Sequence, residues 1–248
     1  MNNIGSKIKF FRSRANHSQF QLETEIKASP GSISRIESGQ VNPTKETILQ
    51  IANTLKLNSQ EINYLIGITA QPATALEIEE AKKEAYDELI KPGKLAYLLD
   101  DRWRFIESSD AFIEYFNFTP QEVDYIMGKT TVQVILRQDS PMLTRLDKNT
   151  YGDDYEDLYR AYLRVYFSNI SYMNDDIVFQ STLKDIREND LTKRIWDSLT
   201  YEKDMAYESQ DKRLLHFNIN GKRSTLSYSD QALLKNSRFV IVDYREYK

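Results

Sequence analysis

Cysteine is absent from the 248-residue chain. That excludes disulfides, thiolate metal sites and a cysteine nucleophile. Histidine is scarce: His17 and His216 stand alone, too far apart for a metal-binding pair. The eight glycines are dispersed, with Gly31 and Gly39 the closest two. Neither a glycine-rich phosphate loop nor a dinucleotide fingerprint can be built from them. No apolar run approaches the roughly 18 residues of a membrane span. The opening MNNIGSKIKFFRSR has no apolar signal core. The expectation is a cytoplasmic protein with no membrane partner, no cofactor and no metal. Acid pairs occur at Asp100-Asp101, Asp153-Asp154 and Asp175-Asp176. Adjacent side chains usually point apart, so these pairs are expected in solvated turns. Nothing else supplies a nucleophile with its base, and no enzyme is expected.

What is present implies a folded chain. Apolar residues make up 40%, aromatic residues 12%, and 16 of the aromatics are Tyr. A real core is therefore expected. The length suits two domains. Charge divides unevenly over a net −4: residues 1–68 carry eight basic against five acidic side chains, a balance of +3, and the remainder carries −7. A basic head on an acidic body suits a polyanion-binding module joined to something else.

Residues 1–68 read as five helices. Ile4, Ile8 and Phe11 share a face of the first. Ser18 caps a second, SQFQLETEI, with Leu22, Ile26 and in part Phe20 as its apolar positions. Ser29-Pro30 reads as N-cap and first residue of a third, PGSISRIES, which buries Ile33 and Ile36 and ends at Gly39. Asn42-Pro43-Thr44 opens a fourth, burying Ile48, Ile51, Ala52 and Leu55. The fifth begins near Ser59 and ends near Gly67. Two short helices joined by a tight turn, the second with small polar residues outward, form a helix-turn-helix.

The segment SQFQLETEIKASPGSISRIESGQVNPTKETILQIANTLKL resembles the Cro/repressor, or XRE-type, DNA-binding domain. The matching positions are Gln19, Ser29, Ile33, Ser34, Ile36, Glu37, Gly39 and Pro43. Two residues depart from the family pattern: Glu23 replaces a frequent Ala, and Lys27 replaces a turn Gly. The resemblance implies a lambda-repressor-like all-α fold bound to a double-stranded DNA operator. The third helix would enter the major groove. Pro30, Gly31, Ser32 and Arg35 would then face the bases, with Arg35 reading guanine. Ser18, Gln19, Asn42 and Lys45 are the phosphate-side candidates, and Ser29 is a further DNA-binding candidate. Ser18 and Ser29 also suit plain capping. Arg35 also suits a pair with Glu37, and Glu37 suits a structural role better than a DNA contact.

Residues 69–92 read as a hinge and a helix, ALEIEEAKKEAYDELIKPG, with Ile78, Ala81, Ala85 and Leu89 on one stripe. The stripe suits packing on the second domain or a dimer contact. Residues 93–248 begin with two short strands, LAYLLD and WRFIE. Helices fill 119–200, and RLLHFNI-NG-KRSTLSYS reads as a hairpin turned at Asn220-Gly221, with Leu215, Phe217 and Ile219 on one face. FVIVDYREY closes as a last strand. The class is α+β, a sheet of about five antiparallel strands with helices on one face.

This layout is similar to a PAS-like sensor domain, and more narrowly to the MmyB-like domain that follows XRE-type helix-turn-helix domains. The matching segments are AYLLDDRWRFIESSDAF, DLTKRIWDSL and the closing strands. The resemblance implies a pocket for a small lipophilic, fatty-acyl-like ligand. Tyr97, Trp103, Phe105, Phe112 and Phe116 are candidates for its wall. So are Tyr162, Tyr166, Trp196, Leu215, Phe217 and Phe239, although aromatics in such a domain also serve as plain core. The function implied is a homodimeric transcriptional regulator whose ligand alters operator binding. The alternative is a phage-type or antitoxin-like repressor whose second domain only dimerises or binds a protein.

Overall fold

The computed structural model describes residues 4–142, 152, 155–200, 214–219 and 222–247. The chain divides into two compact units, Met1–Gln71 and Pro72–Lys248.

The first unit is helical: α1 (Ile4–Arg14), α2 (Gln19–Glu25), α3 (Ser32–Glu37), α4 (Lys45–Thr54) and α5 (Ser59–Leu65). Ile8, Phe11, Leu22, Ile33 and Ile51 are fully buried at its centre. Each such side chain contributes about 1.5–3 kcal/mol. Helix starts are defined by side chains. Ser18 and Asn58 form capping boxes with Gln21 and Glu61, and Thr44 accepts from the Thr47 N–H. Gly5 lets α1 approach α3: a Cβ there would lie 2.2 Å from the Ile36 carbonyl oxygen.

Two expectations for this unit need correction. Phe20 is 71% exposed rather than part of the core. Helix α3 starts at Ser32, not Pro30, because Gly31 takes a left-handed φ of 78° and breaks the helix before it. That conformation suits glycine and disfavours side-chain-bearing residues. Ser29 is therefore not an N-cap.

The second unit opens with α6 (Ala75–Leu89), capped by Thr74 and Glu77. Strands β1 (Leu95–Leu99) and β2 (Phe105–Ser108) follow. Next come α7 (Asp110–Tyr115), α8 (Pro120–Ile126), α9 (Thr131–Leu136), α10 (Tyr155–Ile170), α11 (Ile177–Arg187) and α12 (Asp190–Ser198). Strands β3 (Leu214–Ile219), β4 (Lys222–Ala232) and β5 (Val240–Glu246) end the chain. The sheet is antiparallel, ordered β2-β1-β5-β4-β3. Ile219 pairs with Lys222. The turn residues between them, Asn220 and Gly221, and the Ile219 side chain lie outside the described residues, as does the pair Asp153-Asp154.

Strand alternation gives the sheet two apolar faces. Tyr97, Leu99, Leu215, Phe217, Leu226, Val242 and Tyr244 pack with side chains from α7 to α12. Ala96, Leu98, Ile106, Phe239 and Ile241 instead pack with Ala81, Ala85 and Leu89 of α6. The sheet is thus covered on both faces, not one. The stripe read from the sequence is the docking face of α6, and the division of the chain groups α6 with the sheet.

Candidate nucleic-acid interface

The helix-turn-helix is assembled by polar side chains that reach between α1, α2 and α3. Glu37, near the end of α3, accepts from Arg12 Nε at 2.6 Å and Nη2 at 3.0 Å. Gln19 Nε2 donates to the same carboxylate at 2.7 Å. Arg12 Nη1 also donates to the His17 carbonyl at 2.7 Å. Glu37 is therefore engaged within the fold, and Arg35 makes no ion pair among the described residues.

The two departures from the family pattern have structural accounts. Gly31, as N-cap of α3, has no side chain to cap the helix. Buried Glu23 does so from α2: its Oε1 accepts the Ile33 N–H at 2.9 Å. A carboxylate at a helix N-terminus also suits the dipole. Lys27 takes φ 56° in the turn, a modest strain for a residue with a side chain.

The outward face of α3 presents Ser34, Arg35 and Ser38, with Gly31 exposed just before it. Arg35 Nε reaches back to the Gly31 carbonyl at 3.3 Å, which leaves its terminal nitrogens for other partners. From the sequence, Ser34 stands only as a family position and Ser38 is not singled out; the four-residue spacing between them puts both on one helical face. Ser32 is corrected: its Oγ is enclosed in the fold, without a hydrogen-bond partner among the described residues, not on the exposed face. Pro30 lies just ahead of the helix and is exposed.

Ser18 accepts from the Gln21 N–H at 3.1 Å, and its own N–H donates to Gln21 Oε1 at 2.8 Å. Ser29, Asn42 and Lys45 are exposed, with Lys45 as first residue of α4. The basic excess of this unit is partly spent internally. Arg12 holds Glu37, Arg14 holds Glu61, and Lys7 Nζ donates to the Tyr64 carbonyl at 2.5 Å. Exposed cations remain at Lys9, Lys27, Arg35, Lys45 and Lys56.

The lining residues expected in the second unit do not form one large pocket. Tyr97, Trp103, Tyr162 and Leu215 border a void of about 20 Å³. That is room for about one water, whereas ligand sites usually span about 300–1,000 Å³. Phe112 packs edge-on against Tyr97, Phe105 tilts against it, and Phe116 and Phe217 meet edge-on. Tyr166 and Trp196 group with Phe179. These side chains fill the core themselves. Phe239 lies on the opposite face of the sheet, under α6. Trp103 was expected in a strand but occupies the β1–β2 turn at φ 59°. Its Nε1 is buried with no hydrogen-bond partner among the described residues.

Residues 5–67 match a family described as a helix-turn-helix domain. No curated protein matches the chain. No helix among the described residues is long and apolar enough to cross a membrane.

Proposed function

With a helix-turn-helix domain of XRE type at residues 5–67, we propose that the protein is a sequence-specific DNA-binding transcription regulator. One observation carries this reading: α3 holds Arg35, free of ion pairs among the described residues, on an exposed face with Ser34 and Ser38 while Glu37 is held by Arg12 and Gln19. In the major groove, Arg35 reads guanine through a bidentate contact. Gly31 permits close approach. Ser18, Gln19, Ser29, Asn42 and Lys45 lie toward the phosphates, and Ser34 takes the base-facing place expected of Ser32. A dimer on a roughly palindromic operator sets two copies of α3 about 34 Å apart. The test is operator selection from random DNA followed by titration. Arg35→Ala is expected to weaken the selected site by about 5- to 150-fold, from roughly 1–3 kcal/mol per bidentate base contact. Equal loss on selected and random DNA would reject Arg35 as a base reader.

The second unit is read as the effector part. Its layout of two strands, helices and three further antiparallel strands supports the PAS-like reading. A small apolar ligand at Trp103 and Tyr97 requires the helices to part from the sheet, because the void is only about 20 Å³. That filled core favours a second reading, in which this unit only dimerises or binds a protein. Solvent extraction of the purified full-length chain with mass spectrometry separates the two. A stoichiometric lipophilic species supports ligand sensing. None, with a dimer by light scattering, supports the second reading.

A further inference from the structure

The second unit contains a chain of alternating charges, buried at its centre, that the DNA-binding function does not use. Glu77, in the first turn of α6, accepts from Arg238 Nη1 at 2.8 Å. Arg238, in the β4–β5 connection, donates through Nε to Asp101 Oδ2 at 2.8 Å. Asp101, in the β1–β2 turn, pairs through its other oxygen with Arg102 Nη1 at 2.8 Å. Arg102 Nη2 donates to Asp176 Oδ2 at 2.9 Å. Asp176 is the N-cap of α11, and its Oδ1 accepts the Val178 and Phe179 N–H groups at 2.8 and 3.2 Å.

Burial makes these links interdependent. Arg102 is 1% exposed and Asp101 likewise 1%. Breaking a link at this centre strands a charge that water cannot reach, which penalises partial opening, whereas the Glu77 end of the chain is 29% exposed. The turn carrying the central pair is itself fixed. Asp100 Oδ1 accepts the N–H groups of Arg102 and Arg104, each at 2.9 Å, and Arg104 Nε donates to Asp100 Oδ2 at 2.7 Å. The same turn holds Trp103 in a left-handed conformation that a bulky residue adopts only under constraint. The Trp103 carbonyl accepts the Thr131 N–H at 3.0 Å, and its indole borders the void. Charge chain, strained turn and aromatic core therefore meet within a few residues.

We propose that this chain is a coupling element, through which the seating of α6 and the capping of α11 depend on each other by way of the β1–β2 turn. The proposal rests on reading the second unit as the effector part, because α6 is the helix that follows the DNA-binding unit in sequence. A displacement at Trp103 then moves a turn to which both helices are bound.

Two isosteric neutralisations test it without destroying a cap. Glu77→Gln keeps the capping box with Thr74, since Gln serves there. Asp176→Asn keeps an effective N-cap. Both, and the double variant, are compared in the full-length chain by urea unfolding and amide hydrogen exchange. Distant independent sites add to within about 0.5 kcal/mol, roughly twofold in the unfolding constant. The expected result is a departure from additivity of threefold or more. In addition, Glu77→Gln speeds exchange of the Val178 and Phe179 amides, and Asp176→Asn speeds exchange along α6, because coupling is reciprocal. Additive unfolding constants, with each variant loosening only its own helix, would overturn the proposal. None of these readouts involves DNA, so failure here leaves operator binding to be judged by its own titration.

Discussion

Removing Glu37 should cost the first unit much of its stability without replacing any residue assigned to the DNA side. The Arg12 and Glu37 side chains are 11% and 4% exposed. In Glu37→Ala the Arg12 guanidinium keeps its bond to the His17 carbonyl but loses its counter-charge. Gln19 loses its acceptor as well. Stranding one partner of a buried pair costs about 3–5 kcal/mol. A unit of this size, Met1–Gln71, has a total stability of about 4–10 kcal/mol. The variant should therefore sit near the edge of folding, with a melting temperature lower by at least about 12 °C, at roughly 4 °C per kcal/mol. Far-ultraviolet circular dichroism follows the melt, and amide exchange over α1–α3 localises it to this unit. The companion variant replaces both partners, Arg12→Met with Glu37→Leu. It should regain most of the loss, because no charge is left stranded. A loss under about 1 kcal/mol in Glu37→Ala would show a pair screened by water, as at exposed surfaces, and would refute the reasoning. A double variant as unstable as the single one would show that shape, not charge, holds the helices.

Gly5→Ala should destabilise the same unit by about 1–3 kcal/mol or more, as overpacking does. Its Cβ would lie 2.2 Å from the Ile36 carbonyl oxygen and 3.0 Å from that of Glu37, both backbone atoms that cannot swing aside. A melt unchanged from the parent would show that α1 shifts freely on α3. In the second unit, Glu88 is held down to about 2 from 4.5, chiefly by hydrogen bonds from Lys91 and Lys94. A lowered folded-state value makes its contribution complete above the unfolded value and lost as pH falls from about 4.5 toward 2. Glu88→Gln should flatten the stability profile in that window, by a small amount that salt reduces, since Glu88 is at the surface. An identical acid profile in the variant would exclude the contribution.

Some of these features were legible because they are local. Capping at Ser18 and the amphipathic stripe of α6 follow from spacing along a single helix. The strand segments were also visible in their period, although Trp103 proved to lie in a turn. The family match at residues 5–67 rests on such local pattern too. Glu23 as the cap of α3 was not legible, because donor and acceptor sit on different helices and the vacancy at Gly31 appears only in three dimensions. Asp100 and Asp101 were read as solvated turn residues. They are buried because Arg238 arrives from a distant part of the chain, and Arg102 and Arg104 fold back, to neutralise them.

By itself, then, the sequence determined where helices such as α2 and α4 start, though not α3, which of their faces are apolar, and that a helix-turn-helix lies near the start of the chain. Those depend on neighbours three or four residues away. Tertiary structure alone decided which face of the sheet each aromatic occupies. It placed Phe239 under α6 and apart from Tyr97. It decided that side chains, not a wide cavity, fill the core beside Trp103. It also decided which charges are spent inside the fold and which, like Arg35, remain for a partner. Burial and counter-charge come from residues far away in the chain, and no local pattern records them.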